Sequence, residues 1–390
     1  MRICYLAWHG SVHTRRWAGW FAERGHDVHV VTCGGAEARD RDLDGAPLPL
    51  RYQVHELGAP RFGKLGYLLR ARQARRTVRA IAPDVLHAHW LTSYGLLALA
   101  ADRRRLPLAV TAHGDDVLIA PRNPLLRRLV QRVLRAAQLI TVPSEPMHAA
   151  VLELLAPAPE PEAGIAVFQY GVEGRRLAAA GAAARLDPPW RDRDVLHVVS
   201  ARALLDLYRI DVVLEAVALL ATSGVQVRLD LLGDGPARPA LEAQARRLGI
   251  ADRCTFHGAV EPSVVERYVG ASDVSVSMSE SDGVSLALLE ALALGAVPVV
   301  SDIPANRPWI NDERTGVLVP IDAAALADGI RRAMQIDRDS LRADNRAVVA
   351  ERADRDTNLE ACELLVDSLA GVIWDPTPRG EFEDGDHRAA

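Results

Sequence analysis

The sequence predicts an α/β protein built as two doubly wound domains facing a central cleft. Three observations carry this. Short β-rich apolar runs alternate with helical patterns along almost the whole chain. The alternation breaks once, in a stretch rich in Pro, Ala and Gly. The 390 residues exceed one ordinary core of roughly 100–200 residues and suit two.

The first element is the run RICYLA, followed by a helix over 14–24 and the strand HDVHVVT, a βαβ rhythm. Further strands are expected at DVLHAH (84–89), LAVTAH (108–113) and LITVPS (139–144), separated by helical stretches such as LLRRLVQRVLRAA. A parallel sheet covered on both faces is the simplest packing for this pattern. Between residues 155 and 190 come APAPEPEAG and AAAGAAARLDPP, interrupted by the strand-like IAVFQYG, and these mark a hinge region. The alternation restarts with DVLHVVSAR (194–202), a helix over 212–221, VQVRLDLLG (225–233), a helix over 238–248 and RCTFHG (253–258). It continues through DVSVSMS (273–279), a helix near 285–294 and AVPVVS (296–301), so each half is Rossmann-like. The expected organisation is a first domain over 1–170, a second over 171–357, an amphipathic helix over 358–374 crossing back to the first, and a disordered polar tail over 375–390.

Apolar residues make up 49% of the chain and charged residues 25%, a balance that sets aside a disordered protein. No apolar run reaches the roughly 18 residues of a membrane span, and the N-terminus lacks the long apolar core of a signal peptide. The expectation is a cytoplasmic protein, with peripheral membrane association left open. Cys4, Cys33, Cys254 and Cys362 lie far apart in no metal-ligand spacing, which argues against a zinc site or a disulfide framework. Residues 1–174 carry 22 Lys+Arg and 16 Asp+Glu, the remainder 24 and 35. A basic first half suits an anionic acceptor or a membrane surface, and plain variation in surface charge explains it equally well. The net charge of −5 and the lack of a recognisable module disfavour nucleic acid as a partner.

In doubly wound sheets, ligands bind beyond the carboxyl ends of the strands, where loops open a crevice and helix amino termini point into it. That rule places His9, Gly10 and Ser11, then His89 and Trp90, then residues 113–116, at the cleft in the first half. In the second half it places Arg202 and residues 233–235, 258–260, 279–285 and 301–302 there. The sharpest segment is SESDGVSLALLEALALGAVPVVS. Its Gly283 precedes a helix start, where free amides and the helix dipole can hold a phosphate or the face of a sugar. Glu290 sits within LALLEALAL, too apolar a setting for an idle carboxylate, and can accept hydrogen bonds from two vicinal hydroxyls, as on ribose.

At this point the sequence resembles the GT-B glycosyltransferases, and family 4 among them. That family separates an acidic residue from a glutamate by seven residues, the spacing of Asp282 and Glu290. The likeness runs through VSARALLDLYRIDVVLEAVALL, LLGDGPARPALE, FHGAV, SDIPANRPWI and TGVLVPIDAAALADGI, nearly all of 195–335. It is looser in the first half, in the opening strand and loop, HTRRWAGWFAERGHDVHVVT, PDVLHAHW and TAHGDDV. The resemblance implies a retaining enzyme of the hexosyltransferase type that needs neither metal nor cofactor. Its donor would be a nucleotide diphosphate sugar, uridine diphosphate first and guanosine diphosphate second. Its acceptor would be a small molecule, a glycan or a lipid-linked group.

Residue by residue, the resemblance implies that Arg202 binds the donor diphosphate with Tyr208 and Arg209 beside it, and that Glu290 binds the ribose. Asp282 and the amides of Gly283, Val284 and Ser285 hold the donor sugar, Gly10 and Gly233 line the donor phosphates, and backbone near Val260 seats the base. His113 belongs at the reacting sugar, making His113, Asp282 and Arg202 the catalytic set. His9, Ser11, His89, Trp90 and Asp116 face the acceptor.

Two departures stand out. The family's first acidic residue is a glutamate, one methylene longer than Asp282. The lysine that normally assists Arg202 falls on Tyr208, with Arg209 adjacent, in a chain whose one lysine is Lys64; which of the two replaces it stays open. These departures motivate one alternative, a degenerate protein that binds a nucleotide sugar without turnover. Another GT-B activity, such as a nucleotide-sugar epimerase or a phosphorylase, is the second alternative. The string GDGPAR lacks the third glycine of a dinucleotide loop, which disfavours nicotinamide chemistry. The acidic clusters DRDLD (40–44) and DRD (192–194) read as solvated loop charge rather than a metal motif.

Overall fold

The computed structural model describes residues 1–38, 49–59, 63–102, 106–161, 164–184, 195–311 and 313–371. The two acidic clusters and the tail beyond 375 lie outside them. The first sheet contains β1 (Arg2–Leu6), β2 (Asp27–Thr32), β3 (Gln53–Glu56), β4 (Val85–His89), β5 (Leu108–Thr111), β6 (Leu139–Val142) and β7 (Ile165–Val167), in the order β3-β2-β1-β4-β5-β6-β7. Every pairing is parallel. Helices α1 (Val12–Glu23), α2 (Ala71–Ile81), α3 (Leu96–Ala101), α4 (Pro124–Ala136) and α5 (Glu145–Leu155) make the crossovers. Because helices cover both faces, β4 and β5 are buried at every residue, His87, His89 and Thr111 included, and neither strand shows the in–out alternation of a half-exposed sheet.

After α6 (Gly174–Ala184), the second sheet contains β8 (Leu196–Ser200), β9 (Val227–Leu232), β10 (Cys254–Gly258), β11 (Val274–Ser277), β12 (Val297–Ser301) and β13 (Val317–Val319), in the order β10-β9-β8-β11-β12-β13. It is also parallel. Its helices are α7 (Ile210–Thr222), α8 (Arg238–Arg247), α9 (Pro262–Ala271), α10 (Leu286–Leu294), α11 (Ala323–Ala333) and α12 (Arg338–Arg352). Strand order reverses beside β1 in the first sheet and beside β8 in the second. The loops after β1, β4, β8 and β11 therefore flank the two crevices where ligands enter such folds.

The Pro/Ala/Gly stretch is more structured than its composition implies. IAVFQYG supplies β7 to the first sheet, and the alanine-rich run is α6, packed in the second half. A Cβ on Gly181 would strike Leu294 O, and one on Gly270 would lie 3.0 Å from Ala184 Cβ and from Gly181 Cα. Small residues here let helices touch, rather than giving a flexible linker.

The last helix, α13 (Arg355–Leu369), returns to the first half. It buries Leu359, Cys362 and Val366 against Ile3, Tyr5, Trp17 and Phe21, and Arg24 and His26 hold its Glu363 at 2.7 and 2.6 Å. It starts at 355 rather than 358, because Asp354 caps it by accepting from Thr357 N. Where the chain crosses, Val172 N donates to Ala353 O (2.8 Å) and Arg355 N to Val172 O (3.2 Å). Gly171, at φ +67°, permits this contact, since a Cβ there would lie 2.5 Å from Arg355 Cα. Among the described residues, no helix is long and apolar enough to cross a membrane, and the four cysteines are free thiols.

Candidate active site

The loop after β1 is built on close backbone approach. A Cβ on Gly10 would lie 2.6 Å from the Trp8 ring, and one on Gly35 2.5 Å from Gly10 N, so the loops after β1 and β2 lie against each other. Arg15 fixes the turn by donating to Gly10 O at 2.8 Å. His9 is fully buried, its Nδ1 at 2.8 Å from Gly35 O and its Nε2 at 3.0 Å from Tyr52 Oη. Ser11 caps α1, accepting from His13 N. Both side chains, placed with the acceptor by sequence reasoning, are engaged in shaping the loop.

His113 follows β5 and is enclosed by rings. Trp90 stacks on it at 3.9 Å and 15°, and Tyr170 at 5.2 Å and 24°. His113 Nε2 lies 3.1 Å from His89 Nδ1. Burial holds both imidazoles well below the usual histidine range, so both are neutral at pH 7. Asp116 is also fully buried; Oδ1 accepts from His113 N (3.0 Å) and Gly114 N (3.1 Å), and Oδ2 from Leu91 N (2.9 Å). It ties the loops after β4 and β5 together from beneath, both of its oxygens being taken up by main-chain amides. Burial, with neighbouring Asp115 adding, raises its carboxyl to about 6 despite those amides.

In the second half, Arg202 leaves the end of β8 and is nearly buried. Its guanidinium donates to Ser285 Oγ (2.8 Å), Ser279 Oγ (3.1 Å) and Asp282 Oδ2 (2.7 Å). Tyr208 lies under it, ring centroid 3.9 Å from Cζ. The tyrosine supplies a π face to the arginine where a lysine would supply a second charge. Arg209, the other residue expected beside Arg202, is held by Asp211 at 2.9 Å and Glu280 at 3.2 Å. Gly233 is required sterically, because a Cβ would strike Arg202 O, and its N–H donates to Gly258 O at 2.9 Å. Val260, two residues beyond β10, is half-buried against the apolar cluster beside α10.

Ser285 is the N-cap of α10, accepting from Leu288 N, and Gly295 closes the helix in the left-handed region. Glu290, on α10, is half-buried, and among the described residues no hydrogen bond or ion pair reaches it. Burial raises its carboxyl above the ordinary range, while Arg16 on α1 acts most strongly in the opposite sense. The halves meet at two glycines. A Cβ on Gly114 would lie 3.3 Å from Gly283 N, and one on Gly283 2.9 Å from Met147 Sδ and 3.1 Å from His113 O. Val284 is buried behind them. His113, Gly114 and Gly283 thus face one another across the cleft, with Arg202 and Asp282 on the same side as Gly283.

Two sequence profiles match this chain, one described as "Glycosyl transferase 4-like" over residues 2–144 and one as "Glycosyl transferases group 1" over residues 195–335. Together they take in well over half of it, one on each sheet. The chain belongs to the GT-B glycosyltransferases. It is 24% identical over 337 residues to the N-acetyl-alpha-D-glucosaminyl L-malate synthase of Bacillus anthracis, spanning 82% of this chain and 81% of that one. It is 31% identical over 277 residues to the D-inositol 3-phosphate glycosyltransferase of Streptomyces avermitilis, with coverage of 64% and 57%. Among solved structures, sucrose-phosphate synthase from Thermosynechococcus elongatus aligns with a TM-score of 0.77 at 19% identity, covering 96% of this chain and 100% of that one. The Anabaena protein HepE in complex with UDP-glucose aligns at 0.73 and 18%, covering 94% and 100%.

In this glycosyltransferase the structure adds two residues that sequence reasoning passed over. Tyr170 closes one face of the His113 ring; its signal was only the aromatic end of IAVFQYG. Arg16 lies within HTRRW, half-buried and with no hydrogen bond among the described residues, and it acts electrostatically on both Glu290 and Glu173.

Proposed function

We propose that this glycosyltransferase moves a hexosyl group from a nucleoside diphosphate sugar, uridine diphosphate first, to an acceptor held by the first half, with retention of configuration and no metal ion. The observation that carries the reading is the head of α10. Arg202, Asp282, Ser285 and the loop at Gly283 converge there opposite His113, while Glu290 on the same helix keeps a carboxylate without a partner among the described residues. An anionic diphosphate fits the arginine and the helix amino terminus, and a ribose fits Glu290. HepE, of the same fold, was crystallised with UDP-glucose. The N-acetyl-alpha-D-glucosaminyl L-malate synthase relative makes, by its name, an alpha-linked glucosaminyl product, as retention from an α-linked donor gives.

In the proposed step the bond between the anomeric carbon and the diphosphate oxygen breaks while an acceptor oxygen bonds to the same face of that carbon. The acceptor proton passes to the departing phosphate oxygen. Arg202 and the amides at 283–285 stabilise the charge gathering on the diphosphate, and closure at Gly114 and Gly283 excludes water. Asp282 holds a hydroxyl of the transferred sugar once the diphosphate takes over Arg202. The arginine-rich outer faces of α2 and α4 offer a surface to an anionic or lipid-linked acceptor.

The test is thermal shift with UDP, GDP and ADP in EDTA, followed by NMR of the product formed from UDP-glucose. UDP should raise the melting temperature by mass action without metal, and the product should be the α anomer. Stabilisation that needs a divalent cation, or a β product, overturns the corresponding part.

A further inference from the structure

His113 has little freedom of place. Trp90 and Tyr170 cover its two faces, and Tyr170 is itself anchored by its hydroxyl on Ala112 O at 2.8 Å. Trp90 reaches its position through a left-handed backbone, φ +64°, a conformation that a bulky residue keeps only where its surroundings over-determine it. The main chain at His113 and Gly114 hangs on Asp116. What these contacts leave undetermined is which ring nitrogen carries the proton.

We propose that His89 is a positioning residue for His113: its Nδ1–H donates to Nε2 of His113 and leaves the proton of His113 on Nδ1, as the donor available to the sugar. This rests on the placement of His113 at the reacting sugar. The bond spans 3.1 Å, and two neutral imidazoles can form it only if one nitrogen donates and the other accepts. The other side of His89 decides the direction. Its Nε2 is buried with no partner among the described residues, and the rings of Trp17, His87 and Tyr5 pack about the His89 ring, centroid to centroid at 5.0, 4.9 and 5.8 Å. A proton on Nε2 would make it a buried donor with nothing among the described residues to receive it, and an orphaned buried N–H is rarer than an orphaned acceptor, so a bare lone pair is the less costly state there. With Nε2 bare, the proton of His89 sits on Nδ1, toward His113.

The experiment uses the full chain labelled with 15N-histidine, the His113 signals being assigned by their loss in His113→Gln. His89→Asn keeps an amide near the place of Nδ1, whereas His89→Gln reaches toward the place of Nε2 and leaves His113 unheld. The imidazole 15N shifts should show His113 as the Nδ1–H tautomer in the wild type and in His89→Asn, and as a mixture in His89→Gln. With UDP-glucose as the probe donor, kcat for its turnover should fall roughly ten- to a hundredfold in His89→Gln, comparable to losing other partners that orient a histidine ring. His89→Asn should recover most of that loss, and KM and UDP affinity should stay close to wild type in both. A wild-type proton on Nε2 of His113 overturns the proposal even if the Gln variant does not fold. So does an unchanged His113 tautomer in His89→Gln. A scrambled tautomer with undiminished kcat leaves the ring relation standing and overturns instead the place of His113 at the sugar.

Discussion

Arg202 and Asp282 are ion-paired at 2.7 Å beside the head of α10, the arginine more deeply buried than the aspartate. A diphosphate must compete with that carboxylate for the guanidinium. Asp282→Asn should therefore tighten binding of bare UDP several-fold while lowering transfer about ten- to a hundredfold. The second figure follows from losing a hydrogen bond to a charged group, about 1.5–3 kcal/mol. Calorimetry with UDP, paired with steady-state turnover, checks both halves; weaker UDP binding in the variant would place Asp282 among the diphosphate's own anchors.

Tyr208 acts through its ring. Tyr208→Phe should bind UDP as the wild type does, and Tyr208→Ala should lose several-fold in affinity, in line with about 0.5–2 kcal/mol for a cation over an aromatic face. Equal losses in both variants would shift the role to the phenol hydroxyl.

Glu290 makes stability depend on pH. Burial raises its carboxyl in the folded chain, with Arg16, Arg176 and Arg202 opposing and Glu266 adding. The folded state therefore retains a proton that the unfolded state has lost. The stability tied to this residue is full below the ordinary glutamate range of about 4.3 and is lost as pH rises through the raised value. Glu290→Gln should be more stable than wild type at neutral pH, lose that advantage on acidification, and bind UDP roughly ten- to a hundredfold more weakly. Melting curves across pH and calorimetry test it. A variant that is less stable at neutral pH, with UDP affinity intact, would make Glu290 structural.

Asp116→Ala leaves three buried amides without their acceptor. At about 1–3 kcal/mol for each unsatisfied group, urea unfolding should show a loss of about 3 kcal/mol or more. Because the native carboxyl titrates at about 6, above the ordinary 3.9 or so, its contribution declines between those two values as pH rises, and Asp116→Asn should flatten that slope. A loss in the alanine variant below about 1 kcal/mol would mean the amides find other partners.

The sequence reveals the fold through its period. Runs such as LAVTAH and AVPVVS are dominated by apolar residues without polar alternation because both faces of each sheet are covered, and the strand-end rule then marks His113, Arg202 and 279–285 without further knowledge. What it conceals are relations that depend on long-range packing. His9 and Asp116 sit at strand ends as His113 does, yet the Gly35 carbonyl and three backbone amides respectively draw them inward. The stacking of Tyr208 on Arg202 crosses a turn whose shape no local pattern specifies. The alanine-rich α6 looks like a linker because the reason for its small residues, contact with α9 and α10, lies up to about a hundred residues away.

The bonds joining Val172 to Ala353 and Arg355 mean that the chain enters and leaves its second half at a single point. In modular terms that half is an insert whose two ends are already neighbours. It can be lifted out and replaced by the corresponding span of a relative while the first sheet and α13 keep their register. Exchange at this junction should yield chimaeras that change the donor and leave the acceptor alone, and two junctions, one near 171 and one near 354, are all the construction requires.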